Sequence, residues 1–205
     1  IKVRLLNFES LVSVNAEPAP RIRCRRKEAR PGEILDAALA VFSARGFAAA
    51  RLEDIAARAG VTKGTIYLYY PDKEALFEAV VRATLVPLLE QGAARVRDYE
   101  GNSADLLRTV IRGWWETITC SGLGGLPKLV ITEAANFPLL AGFYYDNVVA
   151  RGRALLTSVL ERGIERGEFR RVDTAAFVHF ILGPLIYAQV SDQSFGMVRA
   201  EARVL

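Results

Sequence analysis

The segment LEDIAARAGVTKGTIYLYYPDK, Leu52 to Lys73, decides how this chain is read. Leu52, Ile55, Ala56 and Ala59 recur at helical spacing and form one apolar face, while Glu53 and Asp54 occupy a first turn where the helix dipole favours anions. Gly60 ends that helix, because glycine alone enters the left-handed conformation without a Cβ penalty. Val61 can plug the corner, and the Thr62 hydroxyl can cap the next helix. Two short helices joined by so tight a turn are the pattern of a helix-turn-helix.

The helix predicted over Lys63 to Tyr70 divides its faces unevenly. Ile66 and Tyr70, four apart, point inward and leave Lys63, Gly64, Thr65, Tyr67, Leu68 and Tyr69 outside. Lysine pairs with phosphate or guanine, threonine touches base edges or thymine methyls, and tyrosine hydroxyls donate to phosphate. Glycine lets another backbone come close. A plain packed bundle with solvated lysines and phenols would need none of this, and it leaves two large rings on a wet face unexplained. Pro71 ends the helix and Asp72 caps its successor, where Lys73 and the first amides are placed to clamp a phosphate.

Upstream, Pro31 suits a first helical position, and Ile34, Leu35, Ala38, Val41 and Phe42 make a helical stripe closed by Arg45 and Gly46. This helix offers its apolar side to the following pair, completing a three-helix unit. The preceding RIRCRRKEAR, Arg21 to Arg30, reads either as an arm lying along phosphate or as a solvated basic leader. Ile1 to Pro20 has no secretory pattern and reads as an irregular leader or an upstream extension.

Phe42, Gly46-Phe47, Asp54-Ile55-Ala56, Ala59-Gly60-Val61, Lys63-Gly64-Thr65-Ile66-Tyr67, Tyr70 and Lys73-Glu74-Ala75-Leu76 together resemble the signature of the TetR family of transcriptional regulators. The resemblance covers Pro31 to Phe77, roughly a quarter of the chain. One position departs from it: Arg51 stands where the family usually has threonine or serine, so a hydroxyl cap worth roughly 1 kcal/mol is missing, and an arginine able to reach phosphate replaces it. The resemblance implies a homodimer whose amino-terminal domains read two half-sites of a palindromic double-stranded DNA operator, with a small-molecule effector bound in the other domain. Half-sites then lie about one helical turn, roughly 34 Å, apart. The expected DNA contacts are Arg51, Thr62, Lys63, Gly64, Thr65, Tyr67, Leu68, Tyr69 and Lys73.

The rest of the chain reads as all-α. A long helix is expected from Asp72 towards Arg97, with Leu76, Phe77, Val80 and Val81 packed on the first unit and Leu85, Leu88 and Leu89 facing the second. Pro87 either kinks it or marks a boundary. Further helices are expected from Asn102 or Ser103 to about Thr119, from Pro127 to Ala135 after a flexible Ser121 to Gly125, and from Pro138 to about Arg166. Thr174 to about Ser191 is uncharged for roughly the length of a membrane span. His179, Gly183, Pro184 and Gln189 interrupt it and its flanks lack paired anchors, so a helix buried on nearly all sides, without a membrane, is expected. Such burial in a chain of 205 residues points to a partner subunit, with Phe177, Leu182, Ile186 and Val190 at the contact. Gln193 to Val204 reads as a short amphipathic helix beside it.

Composition excludes several functions. The chain is 51% apolar with net charge +4, enough for a real core, and its positive charge crowds ahead of the helix-turn-helix. Two distant cysteines, Cys24 and Cys120, fit a reducing cytoplasmic setting without a disulfide framework. A lone histidine argues against a metal site of the usual Cys/His kind, and no cofactor is expected. No nucleophile elbow or phosphate loop is present, so an enzyme is not expected. Trp114, Trp115, Phe137, Phe143 and Tyr144 can either line a pocket for an apolar or aromatic effector or simply fill the core.

The organisation expected is therefore an extension over residues 1–27, a helix-turn-helix DNA-binding domain over 28–73, and a helical ligand-binding and dimerisation domain over 74–205. The function expected is a ligand-responsive repressor. A small-molecule-binding helical protein or enzyme with an appended helix-turn-helix unit is the alternative.

Overall fold

The computed structural model describes residues 30–202 and the side-chain surroundings of residues 31–196. Residues 1–29, which hold Cys24 and nearly all of the basic segment, lie outside the described residues. Every regular element among those described is helical. In order they are α1 (Arg30–Ala49), α2 (Leu52–Ala59), α3 (Lys63–Tyr67), α4 (Lys73–Arg97), α5 (Ser103–Cys120), α6 (Gly125–Glu133), α7 (Pro138–Tyr144), a π turn (Tyr145–Val149), α8 (Ala150–Glu165) and α9 (Thr174–Ala202).

The amino-terminal helices pack around three phenylalanines. Phe42, Phe47 and Phe77 are fully buried, with ring centroids 5.6 to 5.7 Å apart. Each such pair adds about 0.5–1.5 kcal/mol beyond the burial of its area. Gly46 makes the trio possible: at φ 77°, ψ 170° it breaks the course of α1 and turns Phe47 inward. That combination is essentially restricted to glycine. The same core continues into the second half of the chain, because Phe137 stacks edge-on against Phe47 at 4.8 Å and Leu126 and Leu129 of α6 join it.

α4 runs unbroken from this core into the second half. Leu76, Phe77, Val80 and Val81 are buried as expected; of the three leucines expected to face the second half, Leu85 is buried in the core with Leu140 and Tyr144, Leu89 lies against Gly152 of α8, and Leu88 is exposed. Pro87 removes one backbone donor yet ends nothing, since packing on either side holds the helix through Arg97. Gly92 brings α8 close: a Cβ there would meet Leu155 at 3.1 Å. Asn102, not Ser103, caps α5, accepting from the amides of Ala104 and Asp105 at 2.8 and 3.1 Å.

The single helix expected from Pro138 to Arg166 is interrupted by the π turn. Near it, the Asn147 side-chain amide donates to the Phe143 carbonyl at 2.9 Å, a bond that periodicity does not reveal. After α8 the chain reverses at Gly167, and the Phe169 ring lies directly on Gly163. A Cβ on Gly163 would fall inside that ring's van der Waals envelope. Gly163→Ala is therefore expected to cost about 1–3 kcal/mol by overpacking. At about 2–4 °C per kcal/mol for a chain of this size, a thermal melt reads it directly.

α9 corrects one expectation: it does not stop near Ser191 but continues to Ala202, absorbing the described part of the separate helix expected from Gln193. Thr174–Gly196 is long and apolar enough to cross a membrane, and the single chain covers only one side of it, with 11% of its most apolar window buried. One face carries Val178 and Gln189 into the core, where the Gln189 amide donates to the Gly124 carbonyl at 3.1 Å. The other face is open. Phe180 and Tyr187 are 77% and 76% exposed, in line with exposed Phe177, Pro184 and Phe195 at spacings of three, four and eight.

Candidate nucleic-acid interface

The turn between α2 and α3 forms as its residues dictate. Gly60 sits at φ 66°, ψ 30°, its amide bonded to the Ala57 carbonyl at 3.3 Å, while the Val61 amide reaches the Ala56 carbonyl at 3.0 Å. This pair of bonds satisfies the end of α2, and half-buried Val61 packs on the core as the accompanying apolar contact. Thr62 then caps α3. Its hydroxyl accepts from the Thr65 amide at 3.2 Å and lies 2.9 Å from the Thr65 hydroxyl. One of those two hydroxyls donates to the other, which leaves one proton for an outside acceptor.

α3 is anchored by one residue and otherwise open. Ile66 is fully buried, whereas Lys63, Gly64, Tyr67, Leu68 and Tyr69 are exposed, Leu68 at 82%. The helix is shorter than the Lys63 to Tyr70 expected, because the chain loosens into a turn after Tyr67. Tyr70 still points inward, and burial raises its phenol above the ordinary range. Around Gly64 there is open space; a Cβ there would come no nearer to any neighbour than 3.8 Å from the Thr62 hydroxyl. The fold does not need glycine at that position.

The Lys63 charge on this surface is already paired. Lys63 Nζ lies 2.6 Å from a Glu53 carboxylate oxygen and 5.6 Å from the centre of the Tyr67 ring. The pair holds the Glu53 carboxyl below and the Lys63 ammonium above its usual range. Asp54, the neighbouring acid, instead binds Arg45 of α1. Sequence reasoning placed both acids in a dipole-favoured turn and missed these partners, which belong to other helices and leave no periodic trace. Arg51 is exposed in extended conformation at φ −111°, ψ 143°, with no side-chain cap on α2.

Lys73 is a correction. Its ammonium does not face outward but donates to the carbonyls of Phe47, Ala48 and Ala50 at 2.7, 3.2 and 3.2 Å, with the Phe47 ring beneath it at 4.5 Å. One of the amides expected to share a phosphate with it is occupied too, since the Asp72 carboxylate accepts from Ala75 N–H at 2.7 Å. An ammonium has three protons, and here all three close the irregular end of α1.

Residues 34–80 match the model of bacterial regulatory proteins of the tetR family, and residues 96–195 match the tetracyclin repressor-like C-terminal domain. The uncharacterized HTH-type transcriptional regulator YfiR of Bacillus subtilis is 31% identical over 165 residues, 78% of this chain and 78% of YfiR. The chain belongs to the TetR family. The HTH-type transcriptional regulator RutR of Escherichia coli is 49% identical over 63 residues, a match spanning 31% of this chain but only 30% of RutR. The solved structure of the ketosteroid transcriptional regulator KstR2 of Mycobacterium tuberculosis superposes with TM-score 0.64 at 26% identity, over 79% of this chain and 82% of that one. These relatives are regulators rather than enzymes.

Within this TetR-family fold, four of the five aromatics expected at an effector pocket belong to one packed core. Tyr144 is buried in the shared core, and Trp114, Phe137 and Phe143 are packed against that core, Phe137 on Phe47 and Phe143 under Arg82 at 4.7 Å. Trp115 lies beside Trp114, their rings 6.4 Å apart. Two surface depressions, of about 290 and 320 Å³, are bordered by none of the five. The larger lies on the head between α1 and α2; the smaller is lined by Val96 and Arg97 of α4 and Leu155 and Arg162 of α8. Of the four residues expected at the dimer contact, Phe177 lies on the open face of α9. Leu182 packs against the core of its own chain, and Ile186 and Val190 are half-buried.

Proposed function

We infer that this protein is a transcriptional repressor that binds a palindromic operator as a homodimer in the cytoplasm and leaves it when a small apolar or aromatic effector binds. The observation that carries this is the open face of α3. A helix held by Ile66 alone turns Lys63, Gly64, Tyr67, Leu68 and Tyr69 outward, and Leu68 offers an apolar surface suited to a thymine methyl. Arg51, Thr62 and Thr65 flank that face; Lys73 supports it from behind. Residues 28–73 form the reading head, and residues 74–205 carry dimerisation and effector binding.

The exposed stripe on α9 supports the homodimer, with Phe180 and Tyr187 at its centre and Phe177 at its edge. Contiguous apolar surface of this kind marks an interface. The effector reading rests on the aromatic group around Trp114, Phe143 and Tyr144, which joins the core of the head through Phe137. An effector that favours one spacing of the two heads releases DNA in proportion to its differential affinity.

Selection of bound duplexes from a random library tests the reading, followed by two substitutions. Lys63→Ala is expected to weaken binding to the selected duplex about tenfold or more while leaving the oligomeric state intact. Gly64→Ala is the sharper probe. It relieves a helix of glycine at no steric cost, so the protein is expected to gain up to about 1 kcal/mol of stability and yet bind the duplex more weakly. A Gly64→Ala protein that binds as well as the original would remove α3 from the interface. A ketosteroid is the first effector to try in the same assay.

A further inference from the structure

We propose that Glu53 is a specificity-determining residue, which holds Lys63 back from the DNA backbone and releases its charge only partly, to a base edge. The inference rests on α3 being the reading helix. Glu53 and Lys63 come from different helices, and their side chains meet at 2.6 Å on the exposed surface, 59% and 46% accessible. The fold has other ties at this corner: the hydrogen-bonded turn at Gly60 and Val61 joins α2 to α3, and Asp54 with Arg45 joins α2 to α1.

Two kinds of DNA complex treat this pair differently. On an arbitrary sequence the attraction is to phosphate, and Lys63 must swing from Glu53 towards the backbone, leaving a carboxylate bare beside a strongly negative surface. On the proper site, Lys63 keeps one proton on Glu53 and donates another to a guanine O6 or N7, because an ammonium has three donors and the Tyr67 ring holds it near the helix. The carboxylate thus penalises the wrong complex more than the right one. It trades affinity for discrimination, as specificity devices do.

Binding of the wild type, Glu53→Gln, Lys63→Ala and the double variant is measured by fluorescence anisotropy against two probes across a salt series. One probe is the duplex selected by the wild-type protein, the other a 30-base-pair duplex of random sequence. Glu161→Gln, which removes an exposed charge from α8, serves as the control for net charge. Glu53→Gln is expected to bind the random duplex about fivefold more tightly at 0.15 M salt, with a log–log slope steeper by about 0.9, one additional phosphate. The selected duplex gains less than twofold. In the Lys63→Ala background the gain on the random duplex falls below twofold, and Glu161→Gln gives a gain below twofold as well.

Equal gains on both duplexes, an unchanged random-duplex affinity, or an undiminished gain without Lys63 each overturn the proposal while leaving the regulator reading standing. A wild-type protein from which selection recovers no bound duplex overturns that reading and this one with it.

Discussion

Replacing Phe180 and Tyr187 together with glutamate is expected to turn the proposed homodimer into a monomer and to lower affinity for a two-half-site duplex by at least about 100-fold. The two side chains are among the most exposed large apolar groups of the described residues, one behind the other on α9. A specific dimer buries about 1,000 Å² or more in total, and carboxylates at its centre would have to shed water with nothing to pair them. On the proposed palindromic operator, losing the dimer removes the second half-site's contribution, an effective-concentration advantage of about 10²–10⁴. Neither side chain supports the protomer's own core, so the variant is expected to stay helical. Light scattering gives the mass and anisotropy the affinity; a variant that remains dimeric places the interface elsewhere.

Lys73→Met is expected to destabilise the protein by about 2–3 kcal/mol, because three carbonyls at the end of α1 lose one charged donor. The consequence for DNA separates two roles. If Lys73 supports the head from behind, the variant binds the selected duplex normally at temperatures well below its own melting point. A variant with unchanged melting and weakened binding would return Lys73 to the contact surface, where the sequence alone had placed it. Lys63→Ala is expected to show the opposite pattern, with normal melting and weak binding.

These contrasts follow from what the sequence could reveal. The helix-turn-helix was legible because its determinants are local: the apolar spacing of Leu52, Ile55 and Ala56, the left-handed glycine at 60 and the hydroxyl cap at 62 act within a few residues. The inward bonds of Lys73 were hidden because its partners lie 23 to 26 residues upstream, and periodicity reports which face a residue occupies but not what meets it. Phe137 meets Phe47 from ninety residues away, so its role in joining the halves was equally hidden. α9 was hard to read for another reason: a helix apolar all round has no preferred side, so Leu182, Ile186 and Val190 were named for the contact and the open stripe through Phe180 and Tyr187 was not.

The interior shared by Phe42, Phe47 and Phe77 with Leu126, Leu129 and Phe137 has a further consequence for engineering chimeras. The reading head has no private interior, and the Ala48 amide is itself held by the Glu133 carboxylate at 3.2 Å. A cut after residue 73 would strip apolar surface from both pieces. Grafting this head onto another regulator's sensing half therefore requires transplanting the seam, α6 and the start of α7 included, so that new operator preferences travel with the struts that carry them.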